Sequence, residues 1–257
     1  MISSVSQTNV RPPSAPVMAK RKAGEVKANL EDSQTPLDHI MAMLTNSIEV
    51  GNRHPYLIDN EVANYDLSQD KDGNLIGVAV NLRSSFNGDS YKPRPHTLLI
   101  ISPEGKTRLE PGTRLFGAAL MIGHQAFRGL ARNRLNPDQA ADIYVAVDYP
   151  TGAFLHTQTG RPVAVAIKNA NVKNVVSFFT RNFPLSRVIV CLNGDDETCA
   201  SRIKAVRAVK KMGGQVTYPV FNKYEKFQDF RSFNDLSLAH GPDVAMKRLQ
   251  DGIRGGH

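Results

Sequence analysis

Three groups of cationic side chains give this sequence its most evident chemistry. Lys204, Arg207 and Lys211 fall on one stripe of a predicted helix, opposite Ile203, Val206 and Met212. Arg128, Arg132 and Arg134 crowd a segment that precedes a run of alternating strands and helices. Lys168 and Lys173 follow the apolar run 162–167. Cations placed this way can hold a phosphate backbone without reading bases. Each stripe taken alone also serves as a solvated face. The formal net charge of +8 favours a polyanionic partner and makes these eight residues the nucleic-acid-binding candidates.

Other chemistries have little to stand on. His54, His124, His156 and His240 have no metal-ligand spacing and read as packing or surface residues. Two cysteines, Cys191 and Cys199, are too few for a four-cysteine zinc ribbon, and Cys191 sits inside an apolar run. There is no phosphate loop and no Ser/His/Asp arrangement, so no resident cofactor is expected. A hydrophobic content of 41% and a charged content of 22% are ordinary for a globular protein. No apolar run approaches the roughly 18 residues of a membrane span, and the N-terminus has no apolar signal core. An intracellular, cytoplasmic protein with no membrane partner is expected.

The elements that must position these residues follow from periodicity. Residues 1–35 read as a disordered basic tail with two proline clusters and Lys20, Arg21 and Lys22. From 36 to 123 the pattern predicts a short amphipathic helix carrying Leu37, Ile40, Met41, Leu44 and Ile48, then a small β-rich module. KDGN (71–74) and PEGK (103–106) are its turns. Residues 124–141 read as a linker or helix. From 142 to 257 apolar strands at 142–147, 162–167, 187–192 and 215–220 alternate with helices. That rhythm predicts a parallel sheet covered on both faces. Ligands of such sheets sit beyond the C-terminal strand ends, here Val147-Asp148, Ile167-Lys168, Leu192-Asn193 and Val220.

At those ends the sequence resembles the Toprim domains of plasmid and phage primase and primase-helicase proteins. Their first motif commonly reads Glu-Gly-Tyr-Ala-Thr-Ala, followed by a helix ending Thr-Gly and a Pro-Val-Ala-Val-Ala strand. VDYPTGAFLHTQTGRPVAVA (147–166) runs in that register without a gap, with Tyr149, Thr151, Leu155, His156, Thr159 and Gly160 in place. Upstream, HPYL (54–57), DGNLIGVAV (72–80), PEGKTR (103–108) and PGTRLFGA (111–118) resemble the stretch that precedes Toprim. Downstream, FNDLSLAHG (233–241) resembles the closing Asp-Phe-Asn-Asp-Leu segment. The similarity spans roughly 52 to 250 and lies in the ordered series rather than in any one piece. It implies an α/β fold: a Toprim-like four-stranded parallel sheet flanked by helices, preceded by a small β-rich α+β module.

The resemblance also implies a magnesium site, because clustered carboxylates hold the hard cations that serve phosphoryl transfer. Three of the four expected acids are replaced. The strand-end Glu falls on Val147, the first Asp of Asp-x-Asp on Asn193, and the Asp opening the closing segment on Ser232. Asp195 alone stays in register and is the candidate metal ligand. A displaced site built from Asp148, Asp195 and Asp196 is the catalytic alternative, with Mg or Mn as its metal. Neighbouring strand residues face opposite ways, so Asp148 is expected to face away from the site unless the strand bulges. The acids of DDET (195–198) also suit a helix N-terminus, where Thr198 can cap. The expected function is a catalytically degenerate, primase-like binding module of a mobile element. The alternatives are an active primase or nuclease with a displaced metal site, and a decoy that engages a replication, conjugation or defence protein.

Overall fold

The computed structural model describes residues 36–194 and 199–255. The expectation of a basic tail over 1–35 lies outside them. Helix α1 (Pro36–Thr45) buries Ile40, which packs with Met43 and Leu44 on Ile76, Leu98 and Ile100. The apolar stripe read from the sequence was wider: Leu37, Met41 and Ile48 are exposed.

The first half then lays down β1 (Ile48–Glu49), α2 (Pro55–Asp59), β2 (Ser68–Gln69), β3 (Leu75–Asn81), α3 (Leu82–Ser85) and a hairpin of β4 (Phe86–Asn87) and β5 (Ser90–Tyr91). β6 (Pro95–Ile101), β7 (Thr107–Leu109), β8 (Ala118–Ile122) and α4 (His124–Arg132) follow. The second half alternates: β9 (Ile143–Ala146), α5 (Tyr149–Thr159), β10 (Val163–Val165), α6 (Asn169–Asn182), β11 (Val188–Cys191), α7 (Ala200–Lys211) and β12 (Gln215–Thr217). Helices α8 (Lys223–Phe227), α9 (Phe233–His240) and α10 (Pro242–Gly255) close the chain.

The result is a mixed α/β fold around one central sheet, ordered β1-β2-β3-β8-β10-β9-β11-β12, with β6 against β3 and β7. β10, β9, β11 and β12 pair parallel in that order. β8 pairs antiparallel with β10, so the sheet continues across residue 123, where the sequence changes rhythm.

Strand pleating explains why the runs of the second half are apolar throughout. Tyr144, Ala146, Val163, Val165, Ile189 and Cys191 face one core, shared with α5, α9 and α10. Ile143, Val145, Ala164, Val188 and Val190 face the other, shared with α4, α6 and α7. A period of two with both faces covered leaves no position for a polar residue. Gly152 lets α5 approach the sheet, because a Cβ there would lie 2.7 Å from Val165 Cγ2. Strand β10 stops two residues short of the predicted end, and Ile167 turns the chain toward α6 with φ of 68°. Among the described residues no helix is long and apolar enough to cross a membrane.

Candidate strand-end site and basic grooves

Strand β9 ends at Ala146, so the pleat no longer decides where residues 147 and 148 point. Val147 stays in the core beneath α6 and α7, 7% exposed, with Ala166 and Leu192 in the same cluster. Asp148 has already turned into the helical entry and is the N-cap of α5: its Oδ1 accepts from the Thr151 backbone N–H at 2.8 Å. The expectation that Asp148 faces away from the strand-end site is therefore corrected. The Asn193 side chain lies beside its carboxyl, and Asp235 is close enough to act on it electrostatically. Desolvation raises the Asp148 pKa above the ordinary carboxylate range. Hydrogen bonding from Thr151 and the Asn193 side chain pulls against that rise, and the Asp235 charge adds to it.

The closing segment reaches the same place. Asp235 Oδ2 accepts from the backbone N–H groups of Arg231 and Ser232, both at 2.7 Å, and Ser232 Oγ accepts from Asp235 N–H at 3.1 Å. This is a reciprocal capping box on α9, so Ser232 has a complete structural role. Gly194 N–H donates to Arg231 O at 2.6 Å, which ties the end of β11 to the start of α9. Asn193 Oδ1 is buried without a partner among the described residues. Asp195 and Asp196, with the Glu197 and Thr198 that follow, lie outside the described residues.

The described donor set does not fit a magnesium ion. Val147 supplies no oxygen, and Asp235 Oδ2 and Asp148 Oδ1 are already engaged in helix caps. A hard dication needs several ionised or carbonyl oxygens turned toward it.

Asp148→Asn is expected to stabilise the fold at neutral pH. Asn caps as well as Asp, while the desolvated charge disappears. A carboxyl whose folded pKa is raised weakens the fold as pH rises through that pKa, and this slope should flatten in the variant. Asp148→Ala, which also loses the cap, should fall about 1 kcal/mol below Asp148→Asn. Urea unfolding across pH checks both. A less stable Asp148→Asn at pH 7 would show that the ionised carboxylate has a favourable partner.

The cations are distributed over two hollows. Lys173 of α6 and Lys204 and Arg207 of α7 line one groove of about 710 Å³. Lys211 is exposed one turn further along α7, and Lys168 is exposed at the N-cap of α6. Arg128 and Arg132 line a second hollow of about 510 Å³ beside Lys92 and the β4–β5 hairpin. Arg134 is paired with Asp89 at the rim of that hollow, its Nε 3.0 Å from Asp89 Oδ1.

The buried stripe of α7 is not the one read from the sequence. Arg202, Ala205 and Val209 face inward, while Ile203, Val206 and Met212 are half-buried. Arg202, only 5% exposed, places its guanidinium 4.1 Å from the centre of the Tyr218 ring. Its i, i+3, i+7 spacing with Ala205 and Val209 was the available signal. The aromatic face makes a buried cation tolerable there.

His54, His124, His156 and His240 each have a hydrogen-bond partner within the fold. His54 caps α2 and reaches Gly73 O, His124 meets the Tyr91 hydroxyl, His156 meets Arg161 O, and His240 meets Glu225.

No family model matches this chain, and no curated protein matches it. Among solved structures it is similar to a chain of the bacteriophage T7 complex in which the lagging-strand DNA polymerase interacts with primase domains. The identity is 11%, with a TM-score of 0.45, over 72% of this chain and 82% of that one. It is also similar to the DnaG primase catalytic domain bound to single-stranded DNA, at 15% identity and a TM-score of 0.46, over 77% of this chain and 58% of that one. A third likeness is to the Aquifex aeolicus primase zinc-binding and RNA polymerase domains. There the identity is 12% and the TM-score 0.46, over 83% of this chain and 46% of that one.

Proposed function

We propose that this protein is a catalytically degenerate, Toprim-like and primase-like protein of a plasmid, phage or related element, and that it binds nucleic acid or a replication complex without making primers. The observation that carries the binding half is the convergence of Lys173, Lys204 and Arg207 on one groove between α6 and α7. The degenerate half rests on Val147, Asn193 and Ser232, which hold core, neutral and capping positions where the resemblance implies acids. Binding of this kind is sequence-independent and driven by counterion release.

The triple variant Lys204→Ala, Arg207→Ala, Lys211→Ala tests the reading. Each phosphate contact on a single strand contributes about 0.7 to the slope of log affinity against log salt, so the triple loss should lower that slope by about 2. Fluorescence polarisation of a labelled oligonucleotide over a salt series measures it. An unchanged slope would remove α7 from the interface.

One observation favours the displaced-site enzyme: the Asp148 carboxyl lies beside Asn193 and near Asp235. A manganese or magnesium titration by calorimetry, run beside a primer-synthesis assay, separates the two readings.

A further inference from the structure

Phe116 is a large aromatic side chain left 72% exposed, yet its backbone is held firmly. The Gly117 N–H next to it donates to Asn171 Oδ1 at 3.1 Å, and Gly117 O accepts from Leu82 N–H at 3.2 Å. Asn171, itself buried, donates from Nδ2 to Ala118 O at 2.7 Å. The ring is thus presented to solvent on a fixed support rather than on a slack loop.

It stands over a groove of about 500 Å³ between α3 and α6. The inner wall is aromatic: Phe86 and Phe178 have ring centroids 5.4 Å apart. Arg83 on α3 and Arg181 on α6 flank it, both exposed, and neither has an ion pair among the described residues. Asn174 and Asn182 supply amides from α6. Among the described residues no acidic side chain lines the groove.

We infer that this groove holds single-stranded nucleic acid, with a base stacked on Phe116 and neighbouring phosphates paired with Arg83 and Arg181. Aromatic faces between unpaired cations suit an unpaired strand, whose bases offer open π-faces and whose backbone carries the charge. A duplex presents phosphates but keeps its base faces stacked, so Phe116 would gain nothing from it. α6 forms the ridge between this groove and the α6–α7 groove, with Lys173 on one flank and Arg181 on the other. The inference rests on the nucleic-acid reading above and adds to it a stacking site that the cations alone do not require.

The protein contains no tryptophan, so Phe116→Trp introduces its only indole at an exposed position. Titration with oligothymidylate should quench that fluorescence in parallel with binding. Phe116→Ala should weaken binding about fivefold or more while leaving the salt slope unchanged, because stacking releases no counterions. Arg83→Ala with Arg181→Ala should lower the slope by about 1.4. If the parent protein binds the strand but the indole stays unquenched and Phe116→Ala binds equally well, the groove is wrong and the broader nucleic-acid reading stands. If the parent binds no oligonucleotide at low salt, both fail. If Phe116→Ala instead abolishes self-association measured by sedimentation and leaves strand binding intact, the ring serves a second copy and the inference is overturned.

Discussion

Glu225→Ala is expected to cost about 1.5 to 3 kcal/mol of folding stability, the range for hydrogen bonds to a charged group, since the Arg248 and His240 left behind still reach solvent. The Glu225 carboxylate is fully buried and its hydrogen bonds join three helices. Oε1 accepts from His240 Nε2 and Arg248 Nη2, both at 2.8 Å. Oε2 accepts from Arg248 Nη1 at 2.9 Å and from Asn222 N–H at 2.8 Å, which completes the capping box of α8. Removing the carboxylate leaves Arg248 without its bidentate partner and frees the seam between α8, the end of α9 and α10. Arg248 pulls the Glu225 pKa from its ordinary 4.5 to about 2, with the Asn222 and His240 hydrogen bonds adding to the effect against desolvation. A depressed carboxylate stabilises the fold above its unfolded pKa and loses that contribution as pH falls through the folded one. The loss should therefore run from about pH 4.5 down to about 2 in the parent protein and be absent from Glu225→Ala. Urea midpoints at neutral pH and across this acid range measure both effects. Identical acid limbs in the two proteins would assign the acid sensitivity to other carboxyls.

That network was invisible in the sequence because its partners lie 15 and 23 residues apart and nothing local couples them. The opposite holds for β9, β10 and β11. Their runs are apolar at every position because both faces are covered, and that pattern is confined to a few consecutive residues. The antiparallel join of β8 to β10 has no local signature, so a change of rhythm near 123 was readable while the continuity of the sheet was not. At the candidate site a single residue departs from the sequence pattern. Strand alternation turns Asp148 away, whereas the strand ends at Ala146 and the helix cap takes over. Phe116 lies within PGTRLFGA (111–118), but only the fold shows that this ring is exposed while Phe86 and Phe178 are half-buried.

Val147→Glu is expected to damage the core rather than restore a metal site. The resemblance to Toprim proteins makes this the first substitution to try, since a Glu is implied at that position. Yet Val147 is 7% exposed and packs with Ala166 and Leu192 beneath α6 and α7, among apolar neighbours. An ionised carboxylate there would lose its hydration among these apolar side chains, so the group would be driven to protonate or to unfold its surroundings. A destabilisation of several kcal/mol at neutral pH follows, partly relieved toward acid pH. Adding Ser232→Asp changes less, because Asp is as good a cap as Ser for α9, whereas Asn193→Asp sets a second carboxyl beside the already disfavoured Asp148 charge. The parent protein is expected to show no primer synthesis and no magnesium-dependent cleavage, since Asp148 and Asp235 serve as helix caps and Val147 offers no oxygen. Thermal unfolding, calorimetry with magnesium and a nucleotidyl-transfer assay on the single and triple variants decide the matter. A folded triple variant that gains metal binding and transfer would mean that residue 147 does look into the strand-end site. An active parent protein whose activity disappears in Asp148→Ala or Asp196→Ala would instead establish the displaced-site enzyme.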